Sequence, residues 1–313
     1  MASAENPYRR SAPGACALLL LAVMLGEVAL AQDKESGAEE GDPAGEPVER
    51  AFVRSTGGDG ALAQRHPHLA VWLEPAESPR VLSLVEREAT DEPSGAMVIL
   101  ADEGQSANDP LLEDLRARLT RAGWATMTLG LEQDSPALEL ARQRLLAGDS
   151  QRQDADEDEE AGGPVMIDVN DQAAEDLMEA HRGEMKARLA SAIDWFTERD
   201  YRQVVLVGVG SGAEVMRGYL PDAPQAVARV AWVAANFGPR EPEAISDGLT
   251  DGRQLPILDL YPSRDQASER RRAAFRRAGV SGYQAIPAPV GVRPEGRHAG
   301  VIANRLLGWA GGE

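Results

Sequence analysis

The chain has 313 residues, and 51 acidic against 32 basic side chains give it a formal net charge of −19. A field of that sign repels nucleic acid and anionic lipid, which argues against both as partners. The length suits one α/β domain with polar additions, and a single cysteine excludes an intramolecular disulfide.

The N-terminus has the layout of a signal peptide. Arg9 and Arg10 precede an apolar stretch from Ala15 to Leu25, and Ala29-Leu30-Ala31 offers a small-x-small cleavage site before Gln32. The stretch is shorter than the ~20 residues that a membrane-spanning helix needs, so cleavage is favoured over a retained anchor. The sequence thus predicts a signal peptide over 1–31, a periplasmic or secreted chain, and no stable membrane insertion after cleavage. Cys16 falls inside this segment, and Pro13-Gly14-Ala15 before it do not form a lipoprotein box. Residues 32–60 read as an acidic linker. Its first part, 32–50, is almost all Glu, Asp, Gly, Ala and Pro, with too little apolar surface to offset ordering, and is expected to be disordered.

Residues 61–313 read as the folded domain. Leu69–Leu73 and Val81–Val85 are two strands with a hairpin-like connection through Pro75 and Pro79. Met97–Leu100 is a continuous apolar run, as a strand buried on both faces requires. Pro110 opens a helix through Leu111, Leu112, Leu115 and Leu119, and Gly123 ends it. Ala125–Leu131 is the next strand, and an acidic insertion over about 132–175 follows. Within it 149–163, centred on Asp154–Glu160, reads as disordered. A solvated insertion is favoured there over a cation-binding tail, because carboxylates in a flexible run are not preorganised around a metal. Leu177–Glu198 is a helix, Val204–Val207 a buried strand, and Gly208–Gly212 a turn into a helix that runs through Tyr219. Val227–Ala234, Pro256–Tyr261 and Tyr283–Pro287 are strands. Ser268–Ala278 and Val301–Trp309 are helices.

Strand–helix alternation of this kind predicts an α/β fold, a mostly parallel central sheet with helices on both faces. Function in such sheets sits beyond the carboxyl ends of the strands. That directs attention to the loops 101–109, 208–212, 262–267 and 288–298.

The turn Gly208-Val209-Gly210-Ser211-Gly212 after a buried strand fits the frame of a nucleophile elbow, in which small flanking residues let strand and helix approach. On this turn, on Met97–Leu131, on Tyr201–Leu220 and on Leu255–Asp265 with the helix after it, the chain resembles a proteobacterial family of exported α/β-hydrolase-like proteins, domain of unknown function 3530. The resemblance covers roughly 65–310. It implies an α/β-hydrolase-like sheet and export. The short interval between Ala235 and Leu255 leaves no room for a large lid domain.

Laid on the hydrolase frame, the nucleophile position is Gly210, which has no side chain. Ser211 stands one residue late, where a hydrolase uses the backbone N–H for its oxyanion hole. Asp265 holds the acid position. The histidine position falls near Pro289–Gly291, where no histidine occurs, and His298 is the nearest candidate. The oxyanion loop is Ala101-Asp102-Glu103-Gly104, with two carboxylates where negative charge would develop. The favoured reading is therefore a catalytically degenerate protein acting in binding or envelope maintenance, with an unknown small molecule or envelope partner. The alternative is a serine hydrolase of an ester or amide using Ser211, Asp265 and His298 in a non-standard arrangement. A purely structural or partner-binding module using the acidic insertion is a third reading.

The remaining motifs are weaker. Gly208-x-Gly210-x-x-Ala213 matches a loose dinucleotide fingerprint, but several strands precede it and Ala231–Ala235 carries no acid, so no cofactor is expected. A helix start with bare glycine amides, Gly208, Gly210, Ser211 and Gly212, suits a small anion. His66 and His68 are two ligands without further clustering, and no metal site is expected.

Overall fold

The computed structural model describes residues 58–76, 78–156, 169–238, 242, 245, 246, 249 and 255–312, with backbone alone for 148–156 and 169. The predicted signal peptide and the linker up to residue 57 lie outside these residues, as does 157–163 of the acidic run.

Helix α1 (Asp59–Arg65) replaces the end of the expected linker. Its Leu62 is buried with Leu82, Leu84 and Ala107, and that contact orders the Ala-Leu-Ala stretch. Strands β1 (Ala70–Leu73) and β2 (Val81–Glu86) then pair antiparallel, as the hairpin-like connection predicts.

The core is built from β3 (Gly95–Glu103), α2 (Pro110–Arg121), β4 (Trp124–Leu131), β5 (Val204–Val209) and α5 (Gly212–Tyr219), with two further helices between β4 and β5. Downstream come β6 (Val227–Val233), β7 (Ile257–Pro262), α6 (Gln266–Arg277), β8 (Tyr283–Ala288) and α7 (Ala299–Ala310). The strands form one sheet in the order β1-β2-β4-β3-β5-β6-β7-β8. The first two strand pairings are antiparallel and the other five parallel. Gly95–Asp102 and all of β5 are buried, so helices cover the sheet on both faces. The fold is that of an α/β hydrolase, with no large lid evident among the described residues.

The insertion after β4 is more regular than its composition suggests. Helix α3 (Pro136–Asp156) continues through the first part of the run expected to be disordered, and α4 (Val169–Thr197) starts ahead of the predicted Leu177. Ser135 accepts the Leu138 N–H at the head of α3, and Leu138, Ala141 and Ala174 are buried. Farther along α4, Leu189, Ile193 and Phe196 pack into the main core. Tertiary burial of this apolar stripe outweighs the weak local signal of an acidic stretch.

Candidate functional site at the strand carboxyl ends

Strand β5 ends in a sharp turn and α5 begins at once. Gly210 has φ of +52°, the left-handed backbone that an elbow imposes and that glycine adopts without steric cost. A Cβ on Gly208 would lie 2.6 Å from Ala213, and one on Gly212 would lie 2.5 Å from the Ala101 carbonyl. The flanking glycines thus allow β3, β5 and α5 to approach closely. The elbow is tied to the neighbouring strand end, since the Gly210 N–H donates to Val233 O at 3.0 Å and Gly210 O accepts from Asn236 N–H at 2.9 Å.

The space over Gly210 is filled from the next strand. A Cβ placed on Gly210 would lie 2.2 Å from the carboxyl carbon of Asp102. Oδ1 of Asp102 accepts the Ser211 N–H at 2.8 Å and the Glu103 N–H at 2.9 Å. In the hydrolase frame the N–H after the nucleophile position is an oxyanion donor. Here it holds a carboxylate of the chain itself. The loop carrying Asp102 is pinned: its N–H donates to Gln105 Oε1 at 3.1 Å, and the Gly104 N–H donates to Leu131 O at 2.8 Å. Arg116, buried in α2, ties down the rest of the loop by donating to Asn108 Oδ1 and Thr128 Oγ1, each at 2.9 Å.

Ser211 is half-buried at the start of α5, and its hydroxyl makes no capping hydrogen bond. The Ser211 hydroxyl thus satisfies none of the helix-start N–H groups, and its own N–H is taken by a carboxylate from β3. Asp265 lies at the head of α6 and caps it, accepting the Ala267 N–H at 3.3 Å, the Ser268 N–H at 3.0 Å and the Ser268 hydroxyl. Burial pushes its pKa up, but the Ser268 and Ala267 hydrogen bonds and the charge of Arg271 more than offset this and leave it below the usual aspartate value.

A cleft of about 530 Å³ opens over the elbow, and its wall includes Asp102, Glu103, Gly104, Ser211, Asp265 and Arg293. The structure thus brings the oxyanion-loop residues, the serine and the acid together. His298 is not on this wall. It sits in a 3₁₀ turn, Gly296–His298, where its Nδ1 accepts the Glu295 N–H at 2.9 Å in a capping box. The loop after β8 presents Val292 and Arg293 to the cleft instead. Of the other histidines, His66 caps α1, His68 is exposed before β1, and His181 lies on α4.

A buried network behind the cleft escaped the sequence reading. Asp259, in the middle of β7 and 0% exposed, takes two hydrogen bonds from Arg271, at 2.9 and 3.2 Å, and one from the Tyr283 hydroxyl at 2.7 Å. Arg271 also donates to Ser268 Oγ at 3.0 Å, and Ser268 donates to Asp265. Burial lowers the Arg271 pKa, but the Asp259 charge more than restores it, and burial beside Asp259 raises that of Tyr283 well above the usual tyrosine range. The signal in the sequence was an acid inside Ile-Leu-Asp-Leu-Tyr, which demands a cationic partner.

The fold is shared with solved hydrolases. The esterase domain from a Rhodothermus marinus protein aligns with a TM-score of 0.51 at 13% identity, over 77% of this chain and 96% of that one. Dienelactone hydrolase from Anabaena variabilis gives 0.51 at 16%, over 77% and 94%, and Est1E from Butyrivibrio proteoclasticus gives 0.51 at 9%, over 77% and 96%. Identities this low show the fold alone. No curated protein matches the sequence. The family described as "Protein of unknown function (DUF3530)" matches residues 14–309.

Proposed function

We propose a binding rather than a hydrolytic role for this chain, which belongs to the DUF3530 family. It is exported by its residue 1–31 signal peptide and acts in the periplasm or outside the cell, on a small molecule or an envelope partner. The observation that carries the reading is the Asp102 carboxylate in the space that a side chain on Gly210 would need. Acyl transfer requires a nucleophile at the elbow, a base beside it, and free donors where the oxyanion forms. Glycine supplies no nucleophile. The Ser211 N–H is already engaged by a negative charge, which opposes a second one. The cleft wall carries no histidine among the described residues.

A serine hydrolase remains the second reading, favoured by one fact: Ser211 and Asp265 line the same cleft on an elbow of hydrolase geometry. It requires His298 to leave its capping box and reach Ser211. Turnover of short acyl esters by the purified chain separates the two. The binding role predicts none above the rate in buffer, whereas turnover abolished by both Ser211→Ala and His298→Ala would establish the enzyme, since residues acting as a unit fail together.

A further inference from the structure

Asp102 is the most confined carboxylate on the cleft wall, 9% exposed. Both hydrogen bonds accepted by its side chain fall on Oδ1, and Oδ2 accepts none among the described residues. Oδ2 is thus held in place with its lone pairs open to a donor from the cleft. This oxygen borders the space over the elbow, 2.6 Å from where a Gly210 Cβ would stand. A second cleft of about 480 Å³ adjoins the first, sharing Pro262, Asp265 and Val292, and adds Pro289 and Val290 to its wall. Val292, in both walls, is 68% exposed.

Resting on the binding role proposed above, we infer that the joined clefts take a small primary amine with an apolar arm. The ammonium donates to Asp102 Oδ2, and the arm runs past Pro262 and Val292 toward Pro289 and Val290. An ammonium has only donors and carries the charge opposite to that of a carboxylate. A carboxylate ligand meets Asp102 and Glu103 instead and is repelled. Arg293 on the same wall is exposed, so solvent and salt screen its charge more than that of Asp102.

Calorimetric titration of the purified full chain with n-hexylamine, methylamine and hexanoate tests the inference. Hexylamine should bind saturably at one site, methylamine at least about tenfold more weakly (~1.4 kcal/mol), and hexanoate not at all. Asp102→Asn keeps an oxygen for the two N–H donors but removes the charge, and should weaken hexylamine at least about tenfold. Asp91→Asn, an exposed carboxylate not on either cleft wall, makes the same change in net charge and should leave binding unaltered. Val292→Asp should weaken hexylamine more than methylamine. The inference is overturned by an absence of saturable hexylamine binding, by hexanoate binding as tightly, or by an Asp102→Asn chain of native circular dichroism that keeps full affinity. Any of these without ester turnover removes the amine and leaves the binding role. Ester turnover that depends on Ser211 removes the role itself.

Discussion

The carboxylate of Asp102 and the backbone N–H of Ser211 are joined by a 2.8 Å hydrogen bond that crosses from the end of β3 to the start of α5. The contact depends on residue 210 being glycine, because any Cβ there would enter the Asp102 side chain. The two positions are therefore coupled: the carboxylate supplies what the elbow backbone needs, and the elbow leaves it room.

Gly210→Ser tests that coupling. The serine must hold its backbone at φ near +52°, and its side chain must displace a pinned carboxylate. A loss on the order of 3 kcal/mol in urea denaturation is expected, with no gain of esterase activity. Adding Asp102→Gly should make the serine less costly than it is alone, by about 1 kcal/mol or more of interaction energy.

Ser211→Ala should do almost nothing. The hydroxyl caps no helix donor, so stability should stay within about 0.5 kcal/mol of the parent in the same denaturation experiment.

The elements were legible where one kind of burial dominates. Val204–Val207 and Met97–Leu100 read as central strands because every residue is apolar, and they are central strands. Helices α3 and α4 were only partly legible, because the apolar stripe of Leu138, Ala141 and Ala174 is thin among charges and gains its meaning from packing. In the site, Gly210 and Asp102 could be placed in register on a known frame. That the carboxylate of one occupies the space of the other could not, since it depends on the distance between two strand ends. Asp259 and Arg271 are twelve residues apart, yet their pairing depends on α6 folding back over β7.

Arg271→Met should be severe. It strands Asp259, fully buried, with only the Tyr283 hydroxyl for company among its described partners. A cost of about 3–5 kcal/mol is expected by chemical or thermal unfolding, because an uncompensated charge remains inside. Replacing both residues, Asp259→Leu with Arg271→Met, should cost less than the single change.

Asp265 gives the fold an acid-sensitive component. Its folded pKa lies below the ordinary 3.8, so its contribution is present above that value and is lost as pH falls through the lower folded value. The urea midpoint of the parent should therefore fall on acidification from about pH 5 to about pH 3 more steeply than that of Asp265→Asn, which keeps an oxygen for the cap but does not titrate.

On the binding role proposed above, the elbow holds no working serine. A fluorophosphonate probe, followed by mass spectrometry of the purified chain, tests it most directly, because the probe reacts only with a serine whose hydroxyl is activated by a base. A binding role requires an unlabelled chain, with no phosphonate on Ser211. Stoichiometric labelling of Ser211 that disappears in His298→Ala, with the circular dichroism of both chains alike, would contradict it.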